Sequence, residues 1–389
     1  MDNISIKLTM NHRIHEILYG MVFPYLDFYD KHKFQKINKC MDRIHVKDLY
    51  DIERKYLINL NDDILKNYKY VVKLDAHHNQ KITSINYMIR LKELDASGSR
   101  IDNKGILNLI NLEILNVAEN LKITNINHMT KLKELNVSGN CGIDNEGILN
   151  LTNLEILNAS KNSKIKNINH MIKLKELDAS SVCGIDCRGI FNLNYLEILD
   201  VSNNTKIANI NHMTKLKELN ASGNCGIDNG GISNLTDLEI LDVFDNSEIT
   251  DINHMTKLRM LDASFHCGID DGGISNLIDL KILFARDNSK ITCVNHMEKL
   301  EKLYASDDCG IDEEGISNLT NLKILCASKN SKITNINHMK KLEELYAYDN
   351  YGLDDEGISK LSNLEILGIS TNSKITKEYS IQKNKNLYV

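Results

Sequence analysis

Six histidines recur in this chain at a fixed interval: His128, His170, His212, His254, His296 and His338 are spaced by 42 residues, each within Asn-His-Met. Five cysteines follow the same interval, at Cys141, Cys183, Cys225, Cys267 and Cys309. Imidazoles and thiolates ligate zinc, and thiols pair into disulfides. Both chemistries need convergence, to about 2 Å from each nitrogen to one ion or to Cα atoms within about 7 Å for a disulfide. If every interval is one separate pass of the chain, like residues stand two strand spacings apart, roughly 10 Å. The predicted roles are therefore structural: buried free thiols packing as small hydrophobes, and histidines multiplied by duplication. Cys183 and Cys187 lie four apart without a second ligand pair, so no metal site is predicted. Nine cysteines without a disulfide framework fit a reducing compartment.

The interval belongs to the whole sequence. The block Leu-Lys-Glu-Leu begins at Leu132, Leu174 and Leu216, with variants from Leu258, Leu300 and Leu342, each 42 residues after the last. The copy at Leu91 precedes Leu132 by 41, because Ser99-Arg100-Ile101 replaces Asn140-Cys141-Gly142-Ile143. A second series starts at Leu112, Leu154, Leu196, Leu238, Leu280, Leu322 and Leu364. The unit is thus a 22-residue half followed by a 20-residue half, and an extra 20-residue half from Val71 makes 15 halves, ending near Ile381.

Both halves open with Leu-x-x-Leu-x-apolar-x-x-Asn. One reads Leu154, Leu157, Ala159, Asn162, then Ile165, Ile168 and Met171; the other reads Leu132, Leu135, Val137, Asn140, then Ile143, Ile148 and Leu151. The Leu-x-apolar alternation predicts a short strand buried on one face. The later apolar positions suit a short turn or 3₁₀ segment. Asp144 is placed to cap a brief helical run through Ile148 to Leu151. These spacings are similar to those of leucine-rich-repeat proteins, over about 80% of the chain. The 20-residue half resembles the protein-phosphatase-regulator type of repeat. The 22-residue half resembles the cysteine-containing type of F-box proteins. The resemblance implies an α/β fold: a curved horseshoe solenoid with its parallel sheet on the concave face and a small helical N-terminal cap. Fifteen strands at about 4.8 Å would span roughly 70 Å. The implied organisation is a helical, F-box-like or capping region over 1–70, a repeat domain over 71–383 and a polar tail over 384–389.

Asparagine holds the turn position in all eight 20-residue halves, from Asn79 through Asn120, Asn162, Asn204, Asn246, Asn288 and Asn330 to Asn372. Stacked amides there can satisfy backbone groups left unpaired by the turn. In the 22-residue halves the position drifts through Ser99, Asn140, Val182, Asn224, His266, Asp308 and Asn350, so the adjacent glycines are expected to serve instead. Composition agrees with repetition. The 389 residues include one proline and no tryptophan, which excludes collagen-like, proline-rich and mucin-like chains. A net charge of −6 argues against nucleic-acid binding through a basic surface. No apolar run approaches a membrane span, and no signal-peptide core opens the chain, so no membrane partner and a cytoplasmic location are expected.

The repetition breaks on one face. Offsets two, four, six and seven from the first leucine of each half point to the concave side. Early copies fill them with small or polar residues such as Asn136, Ser138, Asn158, Ser160, Ser180 and Ser202. Later copies place Phe244, Phe265, Phe284, Tyr304, Tyr346 and Tyr348 there, among Asp242, Asp245, Asp262, Asp287, Asp307 and Asp349, with Arg286 as a basic member. Exposed aromatics mark interaction hot spots, and an acidic rim favours a basic partner. The patch is therefore expected to bind a protein target. The alternative is drift after duplication.

The first seventy residues do not repeat. Ile14, Ile17, Leu18, Met21, Val22, Tyr25 and Leu26 recur at helical spacing, with Pro24 placed to end or strain that helix. A second helical pattern runs through Phe34, Ile37, Cys40 and Met41. Together with Asp27 and Asp30, these residues resemble an F-box. That resemblance implies docking of a Skp1-like adaptor of a cullin ubiquitin ligase on Ile17, Leu18, Val22, Tyr25 and Leu26, with the repeats presenting a substrate. The near-identical duplicated units and the isoleucine, lysine and asparagine content also resemble the repeat families of giant DNA viruses, which would place the protein in a host cytoplasm. The alternative is a plain binding scaffold whose N-terminus only caps the first strand. No nucleophile with an oriented base, phosphate-cradling loop or converging carboxylates stands off the repeat lattice, so neither an enzyme nor a cofactor is expected.

Overall fold

The computed structural model describes residues 48–49, 59–68, 70–370, 374–376 and 386–388. The chain divides into two compact units, Met1–Leu154 and Glu155–Val389. Each unit is a parallel β-solenoid of the leucine-rich-repeat kind that the spacing predicts.

In the first unit the described strands are β1 (Asp48–Leu49), β2 (Lys73–Asp75), β3 (Glu93–Asp95), β4 (Ile114–Asn116) and β5 (Glu134–Asn136). In the second they are β6 (Ile156–Asn158), β7 (Glu176–Asp178), β8 (Ile198–Asp200), β9 (Glu218–Asn220), β10 (Ile240–Asp242), β11 (Met260–Asp262), β12 (Ile282–Phe284), β13 (Lys302–Tyr304), β14 (Ile324–Cys326), β15 (Glu344–Ala347), β16 (Ile366–Ile369) and β17 (Asn386–Tyr388). Within each unit, neighbours pair parallel and in register, so that Leu157, Leu177, Leu199, Leu219 and Leu241 stack as one column. A strand of this kind is three residues long because one inward leucine is all it contributes. Its flanks point out and the chain then turns. One turn buries little by itself; stacking identical turns is what removes Leu157, Ala159, Ile165, Ile168 and Met171 from solvent.

Each unit's sheet takes in residues that the repeat spacing does not mark. β1 lies in the stretch expected to be helical and pairs with β2. β17 lies in the expected polar tail and pairs with β16. A helical turn, Asp62–Leu65, is capped by Asn61, whose side chain accepts from the Ile64 N–H. The adaptor-docking candidates Ile17, Leu18, Val22, Tyr25 and Leu26, and Asn372 of the asparagine series, lie outside the described residues.

The return path of the 22-residue halves is shorter than the spacing predicts. Asp144 does cap a helical turn, but that turn is a 3₁₀ segment of only Asn145–Gly147. Each such aspartate accepts from the glycine three residues on, as Asp228 does from Gly231 at 2.9 Å and Asp270 from Gly273 at 3.0 Å. The glycine is required by contact: a Cβ on Gly273 would lie 2.0 Å from the Thr250 carbonyl oxygen. The sequence Asp-x-x-Gly-Ile therefore encodes a cap and a close approach at once.

The cysteines pack as expected. Cys141, Cys183, Cys225, Cys267 and Cys309 are all buried and none is in a disulfide. Burial pushes the thiols of Cys267 and Cys309 up from 9.0 to about 11. The folded chain thus holds these protons more tightly than the unfolded chain. The corresponding stability is complete below pH 9.0 and is lost as the pH climbs toward about 11. Urea midpoints are expected to fall between pH 8 and pH 10.5. Iodoacetamide at pH 8 should label exposed Cys293 while sparing Cys267 and Cys309, as read by peptide mass spectrometry.

Candidate functional site

The histidine ladder makes a carbonyl clamp. Nε2–H of His128 donates to the Ile106 carbonyl at 3.1 Å, and His212, His254, His296 and His338 do the same to Ile190, Ile232, Ile274 and Ile316 at 3.0–3.3 Å. Each carbonyl ends the helical turn of the preceding half, where orphan acceptors collect. Among the described residues no three of His, Cys, Asp or Glu are placed to share one ion.

The asparagine ladder is internal as well. Asn120 donates from Nδ2 to the carbonyls of Ala96 and Ile101 at 3.0 and 3.2 Å, and accepts on Oδ1 from Lys122 and Ile123 N–H at 2.9 and 3.1 Å. Asn204, Asn246, Asn288 and Asn330 donate in the same way to the carbonyls of Ala179, Ala221, Ala263 and Ala305, all four amides being buried. The 22-residue halves use their glycines as expected: Gly142, Gly226, Gly268 and Gly310 donate backbone N–H to the carbonyls of Asn120, Asn204, Asn246 and Asn288. In these halves the cysteine one residue further on takes the inner place, so Asn140, Val182, Asn224, His266 and Asp308 turn outward. Asn350, followed by tyrosine instead of cysteine, is buried again.

The aromatic residues remain for function, and all lie on the outward sheet face of the second unit. Phe244 and Phe265 pack with ring centroids 4.6 Å apart. Arg286 lies over the Phe265 ring, its Cζ 5.7 Å from the centroid, and its Nε sits 2.7 Å from an Asp307 carboxylate oxygen and 3.5 Å from Asp287. Lys329 pairs with the other Asp307 oxygen at 3.3 Å. Phe284 and Tyr304, register partners on β12 and β13, stack at 4.3 Å with planes 7° apart. Asp245 pairs with His266 at 3.1 Å. Tyr346 donates its hydroxyl to Glu344 at 2.8 Å, a bond that pushes its phenol up to about 12. Tyr348 folds over Gly368, where a Cβ would meet the phenol at 2.7–2.9 Å.

Phe265 is the conformational outlier. Every described turn from His78 to Asp349 places the residue at offset seven in the left-handed region. In the 22-residue halves that residue is Gly98, Gly139, Ser181, Gly223, Phe265, Asp307 or Asp349. Phe265 has φ 63°, an unfavourable backbone for a bulky side chain.

Sequence reasoning missed one ladder. At the end of each strand from β2 through β11, an Asp or Asn accepts on Oδ1 from the backbone N–H two residues on: Asp178 from Ser180, Asp200 from Ser202, Asn220 from Ser222, Asp242 from Phe244 and Asp262 from Ser264, at 2.8–3.0 Å. The signal was present, since Asx turns have this two-residue reach. From β12 on, Phe284, Tyr304, Cys326, Tyr346 and Gly368 stand at that position instead.

No family model matches this chain, and no curated protein matches it. It is similar to solved structures. A leucine-rich-repeat protein of Leptospira interrogans aligns at TM-score 0.55 and 20% identity over 88% of this chain and 100% of that one. The functional domain of InlJ from Listeria monocytogenes, described as including a cysteine ladder, aligns at TM-score 0.53 and 22% identity over 77% and 74%. TLR13, solved in complex with ssRNA13, aligns at TM-score 0.54 and 21% identity over 80% of this chain and 57% of that one. These likenesses show the fold.

Proposed function

We propose that this chain is a non-enzymatic protein-interaction scaffold that holds a protein target on the outward sheet face between Phe244 and Tyr348. The observation that carries this reading is Phe265: a left-handed turn that glycine fills at no steric cost in sister repeats holds an aromatic ring instead, packed at a tilt against Phe244 and covered by Arg286. Strained positions persist where function keeps them. Carboxylates surround the rings, so a basic protein surface fits and a nucleic acid, as in the TLR13 complex, does not. Replacing Phe265, Phe284 and Tyr304 together by serine is expected to abolish capture of the binding protein while leaving the far-UV circular dichroism intact. Unchanged capture by the folded triple variant would remove the reading.

The finer proposal is an F-box-like substrate recruiter acting in the cytoplasm. Its support is the apolar spacing of Ile17, Leu18, Val22, Tyr25 and Leu26. A purified Skp1-type adaptor should co-elute with the parent chain and not with Leu18→Asp. If the parent fails to bind it, the plain scaffold with a capping N-terminus stands in its place.

A further inference from the structure

The outward face of the second unit changes character once. The central outward row, carried in register from β7 to β15, reads Asp178, Asp200, Asn220, Asp242, Asp262, then Phe284, Tyr304, Cys326 and Tyr346. Beside the acidic stretch, one flanking row adds Glu176 and Glu218, and the other is serine except for Phe244; neither row holds a lysine or arginine before β12. Each aspartate spends one oxygen on its own turn and keeps the other for the face, although Asn220 donates to the second oxygen of Asp200 at 3.2 Å. Burial, with Asp262 and Asp200 adding, pushes the Asp242 carboxyl above its usual range. A depression of 340 Å³ lies over this half, lined by Asn158, Asp178, Asp200, Asn220 and Asp242 among others. The other half offers the parallel Phe284–Tyr304 stack.

We propose that the face takes an extended polypeptide segment laid across the strands, with basic residues over β7–β11 and apolar residues over β12–β15. This rests on the protein-binding reading above and adds the shape and polarity of what binds. Eight strand spacings of about 4.8 Å cover roughly 38 Å, the reach of about 12 extended residues. Cationic side chains would meet carboxylates that no cation on the face neutralises, and apolar ones would meet the aromatic stack. A second copy of this chain would bring the same acidic face and be repelled.

The probe is a fluorescein-labelled 12-residue synthetic peptide with arginines in one half and leucine and phenylalanine in the other. It is made in both chain directions and compared with an interleaved peptide of the same composition. Anisotropy titrations on the full chain should show one segregated peptide binding at least about tenfold tighter than the interleaved one. Replacing Asp178, Asp200, Asp242 and Asp262 by asparagine should weaken that peptide about tenfold and flatten its salt dependence. Asparagine already stands in this row at Asn158 and Asn220, so the turns persist. The pair Phe284→Asn and Tyr304→Asn should weaken binding and leave the salt dependence in place. Equal affinity for segregated and interleaved peptides, or indifference to the four asparagines, overturns the proposal. So does a dimer in sedimentation that competes with the peptide, which would give the face to a second copy. If all peptides fail while a folded protein is still captured through Phe265, the extended segment falls and the protein-binding reading survives.

Discussion

Phe265→Gly is expected to leave the chain about as stable as the parent while costing at least about tenfold in affinity for the segregated peptide. At φ 63° the phenylalanine backbone is strained, by roughly 1–2 kcal/mol for an L-residue in this region. Its ring recovers part of that through Phe244 and Arg286, contacts worth about 0.5–1 kcal/mol each at an exposed site. Glycine removes the strain and the contacts together. Phe265→Ala removes only the contacts, so it should be less stable than the glycine variant by about 1 kcal/mol. Urea midpoints for the two variants test the strain, and titrations test the ring. A glycine variant no more stable than the alanine one would mean that the turn is indifferent to side chains. A glycine variant that binds like the parent would mean that the ring is not an anchor.

Asn120→Leu should destabilise the first unit by about 4 kcal/mol, whereas Asn140→Leu should change it by less than about 0.5 kcal/mol. Both asparagines fill the last position of the same Leu-x-x-Leu-x-apolar-x-x-Asn motif. Asn120 is fully buried, and its amide serves the carbonyls of Ala96 and Ile101 and the N–H groups of Lys122 and Ile123. A leucine leaves those four groups unpaired in the core, each costing about 1–3 kcal/mol before local relaxation. Asn140 is exposed, because Cys141 takes the inner place. Urea unfolding of the two variants decides the matter. Similar losses would show that the motif position, and not the burial, sets the cost.

That pair also marks where the sequence stops being sufficient. Period, register and strand identity were legible because each depends on side-chain alternation and on equal intervals, which are one-dimensional properties. The roles of the thiols and of most turn asparagines followed from the same intervals, since like residues spaced by two strands cannot converge. The histidines were read as repeats without chemistry, but their carbonyl partners at Ile106 and Ile190 lie 22 residues back and emerge only when turns stack. The candidate face was visible as a set of aromatic substitutions. Its internal order was not, because Phe284 and Tyr304, 20 residues apart, become a parallel stack only through sheet register.

By itself, then, the sequence determined a repeating solenoid, its inward residues and the face on which repetition fails, all consequences of local alternation and period. The tertiary structure alone decided which of two identical motif asparagines is buried, which ring sits in a left-handed turn, and that the central row of the face turns from carboxylates to stacked rings at β12. Those outcomes depend on contacts between turns some 20 residues apart, and a hydrogen bond or a ring stack exists only where the fold brings both partners within a few ångströms.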